Sequence, residues 1–433
     1  GSIDLLTLAA TGNTTTGSLT LAAGTKTINL TNTAGSADIT GALTINDTGT
    51  AATDVLNLTN GNTTGAQSAF GNQNLTINGF ETININTGTA VTANQQIATL
   101  AIAGDSTSGT NALNVAGVNK LTVTNMTSNS SGLLTVNASG LTGTAVLDMS
   151  NAPTFTGGVT GTVSLVGSAA AAGDTLRGHA TAASTIDGGA GNDTIVGGSA
   201  ADSILGGAGQ DNITAGGGND VIDGGEGNDS ITVTTGTVNV DGGAGNDTIT
   251  LAQTLTAGDT VKGGDGTDIL SITGSLAGTN APLAAVLSDV SGFETLRVAG
   301  GLATNVDMVQ FTGNSTFTRI DNTAAAANTF QSVASGVATL GLATGSTTTM
   351  TRLVDTTTNA LSVSRTDTAT TAVTITALTV NDEETLTING STDTTGAGRC
   401  TAPWLITCAP GKASATVLVA PAERVIDSVV DSR

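Results

Sequence analysis

The sequence predicts an all-β protein, a parallel β-roll flanked by β-solenoid or layered β-sandwich regions. Three observations predict it. A nine-residue phrase recurs in register from Gly188 onward. Short apolar–polar–apolar triplets fill the chain on both sides of it. Hydrophobic residues make up 38% of the 433, yet aromatics are only 2%, with no tyrosine and one tryptophan. That composition lacks the large side chains of a thick core and suits a thin interior lined by small and β-branched residues.

Residues 1–168 form the first region, rich in Thr and Asn. Its triplets include Ile28-Asn-Leu30, Leu43-Thr-Ile45, Leu56-Asn-Leu58, Leu75-Thr-Ile77, Ile83-Asn-Ile85, Leu113-Asn-Val115, Leu134-Thr-Val136 and Val163-Ser-Leu165. Period-two alternation bounded by Gly, Asn, Ser and Thr reads as short half-buried strands. The spacing of the triplets is irregular, which leaves solenoid and sandwich layers both open.

The second region, 169–275, holds the nonapeptide G-G-x-G-x-D-x-U-x, with U a large apolar residue. Units begin at Gly188, Gly197, Gly206, Ala215 and Gly224. A degenerate unit at 233–241 keeps the register, Gly242 restores the motif, and twelve residues precede a last unit at 263–271. Isoleucine falls at U at 195, 204, 213, 222, 231 and 249, a regularity that a flexible Gly/Asp linker has no reason to keep. The x-U-x tripeptide is a short strand with U pointing inward. The glycines before it permit the positive φ of a tight turn.

Such a turn aims carbonyl oxygens inward, and the sixth residue adds a carboxylate, which together make a set of hard oxygen donors suited to Ca²⁺. Two nonapeptides make one coil, so turns on one side belong to alternate units and stack about 4.8 Å apart. One side is expected to stack Asp193, Asp211, Asp229 and Asp247, joined by Asp268 if the twelve-residue segment replaces one unit. The other side has Asp202, in a turn spoiled by Ala200 and Ala201, a good turn ending at Asp220, and Val238 where an aspartate belongs. These seven aspartates are the expected metal ligands. Thirteen acidic residues against Lys262 alone lie between Asp187 and Asp268, and such a density of like charge needs counter-ions. The block is therefore expected to fold on binding calcium.

The nonapeptide resembles the calcium-binding repeat of the RTX family of secreted proteins. That resemblance implies a calcium-filled β-roll, an extracellular location and export by type I secretion, which uses no N-terminal signal; none is evident here. The flanking Thr/Asn-rich strands, joined to these repeats, are similar to bacterial surface-layer proteins of the RTX type. This second resemblance implies lateral assembly of the chain with itself at the cell surface and contact with a cell-surface polysaccharide.

The third region, 276–395, returns to strands. Asn280–Val290 is expected to form a short helix. The phrase Gly79-Phe-Glu-Thr-Ile-Asn-Ile85 recurs as Gly292-Phe-Glu-Thr-Leu-Arg-Val298 and, in part, as Glu384-Thr-Leu-Thr-Ile388. It reads as a buried apolar residue, an exposed Glu and a strand. The tail, 396–433, is atypical, holding both cysteines (Cys400, Cys408), Trp404 and three of five prolines. The cysteine spacing matches no zinc motif.

Net charge of −22 and a pI near 4.1 exclude nucleic acid as a partner, and no apolar run reaches membrane-spanning length. No catalytic pattern is present: His179 has no partner at ligand spacing, and HExxH, GxSxG and P-loop motifs are absent. Glu383 and Glu384 are adjacent in a strand and face opposite ways. The chain is expected to be no enzyme, and a self-assembling surface-layer protein is the favoured reading. A segment of a secreted RTX adhesin and the carrier portion of an RTX enzyme or toxin are the alternatives.

Overall fold

The computed structural model describes residues 5–10, 17–32, 41–48, 54–60, 73–88, 95–103, 111–128, 134–142, 147–149, 156–157, 162–252, 258–273 and 289–300. Beyond these it describes 306–308, 311, 316–323, 327–333, 337, 339–342, 347–352, 360–365, 377–380, 385–388, 406–407 and 414–416. Among the described residues there is no α-helix, and every strand pairing is parallel. The expected helix at 280–290 falls almost wholly outside them, as do Glu383, Glu384, Cys400, Trp404 and Cys408. The chain divides into two compact units, Gly1–Ile231 and Thr232–Arg433.

The first unit is a solenoid of two parallel sheets, each coil giving one strand to each. In one sheet Lys26–Asn32, Val55–Asn60, Thr82–Asn86, Asn111–Gly117, Leu134–Leu141, Val163–Val166, Ser184–Asp187, Ser203–Ala208 and Asp220–Glu226 stack in that order. The intervening strands make the other sheet, from Gly17–Leu21 and Ala42–Asp47 up to Thr194–Gly198 and Asn212–Gly216. The layered-sandwich alternative is thereby removed for this unit. No break in pairing occurs where the nonapeptides begin, since Ser184–Asp187 lies on Val163–Val166 below and Ser203–Ala208 above.

Period-two alternation builds the interior. Leu56, Ile83, Leu113, Val136, Leu165, Ile186, Ile204 and Ile222 lie one above another in register. All eight are buried, and burying such a side chain stabilises the fold by about 1.5–3 kcal/mol. The middle residue of each triplet faces outward, where Asn57, Asn84 and Asn114 form a ladder of amide hydrogen bonds at 2.7 and 2.8 Å.

The second unit repeats the plan. Val238–Asp241, Thr260–Lys262 and Val290–Ser291 pair in one sheet. Thr248–Leu251, Ile269–Ile272, Thr295–Val298, Arg319–Asn322 and Thr339–Leu342 pair in another. A third sheet runs from Val306–Asp307 to Ile406–Thr407. Strand pairing extends into the atypical tail, with Ser414–Thr416 on Thr385–Ile388.

Candidate metal centre

Each aspartate of the motif stands where a turn enters a strand. The next residue but one is the inward isoleucine, or Leu270 after Asp268, and its burial fixes the carboxylate at the rim of the core. Asp193, Asp202, Asp211, Asp220, Asp229, Asp247 and Asp268 are all at most 2% exposed.

The carboxylates stack through the backbone. Asp174 N–H donates to Asp193 Oδ1 at 2.6 Å, Asp193 N–H to Asp211 Oδ1 at 2.7 Å, and Asp211 N–H to Asp229 Oδ1 at 2.8 Å. On the other side Ser184 N–H donates to Asp202 Oδ1 at 2.7 Å and Asp202 N–H to Asp220 Oδ1 at 2.9 Å. In the second unit Asp247 N–H donates to Asp268 Oδ1 at 2.8 Å. Asp193, Asp211 and Asp229 are thus brought into one column and Asp202 and Asp220 into another. Asp268 stands over Asp247 because the twelve-residue segment replaces one nonapeptide.

One oxygen per carboxylate is therefore engaged. The other, Oδ2, is buried and meets no hydrogen-bond donor in Asp193, Asp202, Asp211, Asp220 and Asp268 among the described residues. An orphaned buried polar group costs about 1–3 kcal/mol, and more when charged. First-position glycines line the same space. A Cβ on Gly206 would lie 2.3 Å from the Gly224 carbonyl oxygen and 2.7 Å from Asp211 Oδ2, and one on Gly263 would meet the Gly292 carbonyl at 2.0 Å and Asp268 Oδ2 at 2.7 Å. At Gly206 and Gly263 glycine is thus required by space, since φ is not positive there, although the unit that begins at Ala215 holds a buried methyl at the same position. At the second and fourth positions φ is positive, as at Gly207 (110°) and Gly209 (138°). Orphaned carboxylate oxygens facing backbone carbonyls form an all-oxygen donor set, and it fits Ca²⁺. No three His, Cys, Asp or Glu side chains converge among the described residues, so carbonyls must complete the coordination.

Electrostatics agrees with a cation-binding role. Burial raises the Asp193 carboxyl to about 7, helped by the charges of Asp211, Asp174 and Asp187 and opposed by the Asp174 amide. Burial likewise raises Asp202 and Asp268 to about 6, and it raises Asp211 and Asp220. A carboxylate so placed takes up a proton or a cation.

The Asp202 turn differs from the others: Gly198, at the second position, does not take positive φ, and Ala200 stands at the fourth. Its aspartate is nonetheless held like the rest.

Sequence reasoning missed several members of the ladder. Asp174 heads the first column, but its two oxygens accept the Leu147 and Ser168 amides at 2.6 Å each, so it closes the stack without metal. Asp259 accepts the Val238 amide at 2.8 Å, and Glu294 Oε2 accepts that of Asp268 at 2.8 Å. The available signal was the phrase Gly-Asp-Thr-U, present as Gly173-Asp-Thr-Leu176 and Gly258-Asp-Thr-Val261, with no glycine at the first, second or fourth motif position. His179 is a turn brace. Its Nδ1 accepts the Thr181 and Ala182 amides at 3.2 and 2.8 Å, and burial lowers its pKa, which keeps the ring neutral.

A family profile for the RTX calcium-binding nonapeptide repeat (4 copies) matches residues 181–213, 196–231 and 223–253. No curated protein and no solved structure matches the chain.

Proposed function

We propose that this chain, which carries RTX calcium-binding nonapeptide repeats, is a non-catalytic extracellular structural protein that assembles laterally with copies of itself, as a bacterial surface-layer protein does. RTX repeat proteins are typically secreted, and a millimolar-calcium exterior is where such sites fill. Asp193, Asp211, Asp229, Asp202, Asp220, Asp247 and Asp268 would hold the calcium ions, each with the carboxylate oxygen turned into its turn. Bound calcium supplies positive charge and fixes the turn backbone.

The observation that carries the reading is the unbroken pairing of the repeat with its flank. Ser184–Asp187 is bonded to a calcium coil on one edge and to a Thr/Asn-rich coil on the other. A shape set by calcium in the repeat is thereby imposed on long outward faces of Thr and Asn, which can make repeated polar contacts with another copy. The non-catalytic reading is supported by the chemistry of the described residues. The one histidine is engaged in a turn, and the buried carboxylates are fixed one by one on backbone amides. A cell-surface polysaccharide is the further partner this role calls for.

Electron microscopy and light scattering during a calcium titration of the full chain test this. Sheets that grow only with calcium are expected. Folded monomers at high calcium and high protein concentration would instead favour an adhesin segment or the carrier of a distant catalytic domain.

A further inference from the structure

The phrase Gly-Phe-Glu-Thr is built twice in the same way. In Gly292–Thr295 the glycine has φ of 72° and Phe293 is fully buried. Glu294 Oε2 accepts the amide of Asp268, one coil earlier, and the Glu294 and Thr295 amides both donate to the Asp268 carbonyl, at 3.2 and 3.0 Å. In Gly79–Thr82 the glycine has φ of 82°, Phe80 is fully buried, and Glu81 Oε2 accepts the Asp54 amide at 2.7 Å. There the Glu81 and Thr82 amides donate to the Asp54 carbonyl at 3.2 Å each. The glutamate at 81, expected on the surface, is buried, because a short turn and a longer side chain bring its carboxylate to the aspartate position of the ladder. Asp54 belongs to the same stack, its Oδ1 accepting the Gly24 amide.

In the repeats this arrangement closes a calcium-binding turn. Outside them it leaves the same residue: Asp54 Oδ2 and Glu81 Oε1 are buried with no hydrogen-bond partner, in side chains only 1% and 8% exposed. Lys26, itself buried, donates its ammonium to the Ala23 carbonyl at 3.3 Å and makes no ion pair with either carboxylate. We propose that Asp54 and Glu81 form a calcium site outside the nonapeptides, in which one ion accepts the two orphaned carboxylate oxygens from adjacent coils. Coils stand about 4.8 Å apart, so carboxylates on adjacent coils come within reach of one ion, and an irregular all-oxygen set suits calcium better than magnesium, which demands near-ideal octahedral geometry. The site thus extends calcium dependence into a region that carries no repeat signature.

Hydrogen exchange on the full chain tests it, read at the Gly24 and Asp54 amides and, separately, at residues 188–231. Calcium is expected to slow exchange at both places, and magnesium at neither the same level nor the same concentration for Gly24 and Asp54. The double variant Asp54→Asn, Glu81→Gln should lose about one bound calcium per chain by equilibrium dialysis, and should lose calcium-dependent protection at Gly24 while 188–231 still responds. Exchange at Gly24 and Asp54 that ignores calcium in the unaltered chain overturns the proposal, whatever becomes of the variant. An unresponsive 188–231 would overturn the reading of the repeats instead.

Discussion

The nonapeptide coils and the Thr/Asn-rich coils of the first unit share one interior and differ in their turns. Ile28, Leu58, Ile85 and Val115 stack in register just as Ile186, Ile204 and Ile222 do. Corresponding residues recur every 22 to 32 positions in the early coils and every 18 in the repeats. Long turns can satisfy their own polar groups and tolerate variation. An 18-residue coil has no room for that, so its turns converge on bare carbonyls and carboxylates. Parallel stacking thus supplies the fold in both regions; the compact coils carry a buried carboxylate at turn after turn, whereas the longer ones gather such a pair at Asp54 and Glu81.

Removal of calcium should separate the two most sharply. With EDTA, residues 188–231 should lose amide protection altogether, while the strands from Val55–Asn60 to Leu121–Ser128 keep most of theirs apart from the amides that the Asp54–Glu81 pair serves. Hydrogen exchange with and without millimolar calcium measures this. Uniform loss along the unit would mean that the early coils are held up only by the repeats.

Glycine replacement should show the same contrast at smaller scale. A Cβ on Gly207 would lie 2.1 Å from the Gly189 carbonyl oxygen at a φ of 110°, whereas one on Gly24 would meet only Lys26 Nζ at 3.8 Å with φ of 104°. Gly24→Ala then carries the conformational cost alone, about 1–2 kcal/mol. Gly207→Ala adds a backbone collision worth about 1–3 kcal/mol more. Thermal melting in calcium should rank them in that order.

Within the repeats, the two columns should differ too. Asp211→Ala strips a ligand from a turn whose second and fourth glycines take positive φ, and it should weaken calcium binding about tenfold or more, equivalent to about 1.4 kcal/mol. Asp202→Ala acts on the turn without that geometry and should weaken it by about threefold or less, equivalent to about 0.7 kcal/mol. Calcium titrations followed by circular dichroism decide this, and equal losses would show the backbone of the Asp202 turn to be a competent cradle.

Most of this ladder was legible in the residues. The isoleucine register set the coils, and the nonapeptide register marked seven aspartates, five of them ending an intact GGxGxD. The sandwich alternative stayed open because a Leu-Thr-Ile triplet alternates identically in either arrangement; only pairing between distant coils distinguishes them. Asp174 and Asp259 were hidden because a carboxylate can join the stack wherever its strand is in register, even where glycine is missing from the first, second and fourth motif positions. Glu81 was misjudged because its burial depends on the length of a turn and not on its own chemistry.

Proton uptake offers a second handle on the repeats. Asp193, raised to about 7, and Asp202, raised to about 6, compare with 3.8 in the unfolded chain. A raised carboxyl favours the fold when protonated, so its contribution is full below about pH 4 and is lost as pH climbs through 6 to 7. In EDTA the repeats, unprotected near neutral pH, should therefore regain amide protection as pH falls to 5. Saturating calcium should reverse the trend, because protons then compete for Oδ2. Repeats in EDTA that stay unprotected at pH 5 would show that protonation does not replace the cation in these turns.

The smallest effect should come from the neutral ladder of the early coils. Asn84 Nδ2 donates to Asn57 Oδ1, and Asn84 Oδ1 accepts from Asn114 Nδ2. Its side chain is half-buried on an outward face, where water replaces part of what is lost, so Asn84→Thr should cost no more than about 1 kcal/mol. Asn84→Asp should cost more. It keeps the acceptor for Asn114 but sets a carboxylate oxygen against Asn57 Oδ1 where a donor stood. Unlike the repeat aspartates, it has no orphan site in which a cation would relieve the repulsion. Calcium should therefore leave the deficit of Asn84→Asp unchanged, which calorimetry of the variant in calcium and in EDTA can read. A deficit that calcium removes would mean that the amide ladder, like the aspartate ladder, lies within reach of bound metal.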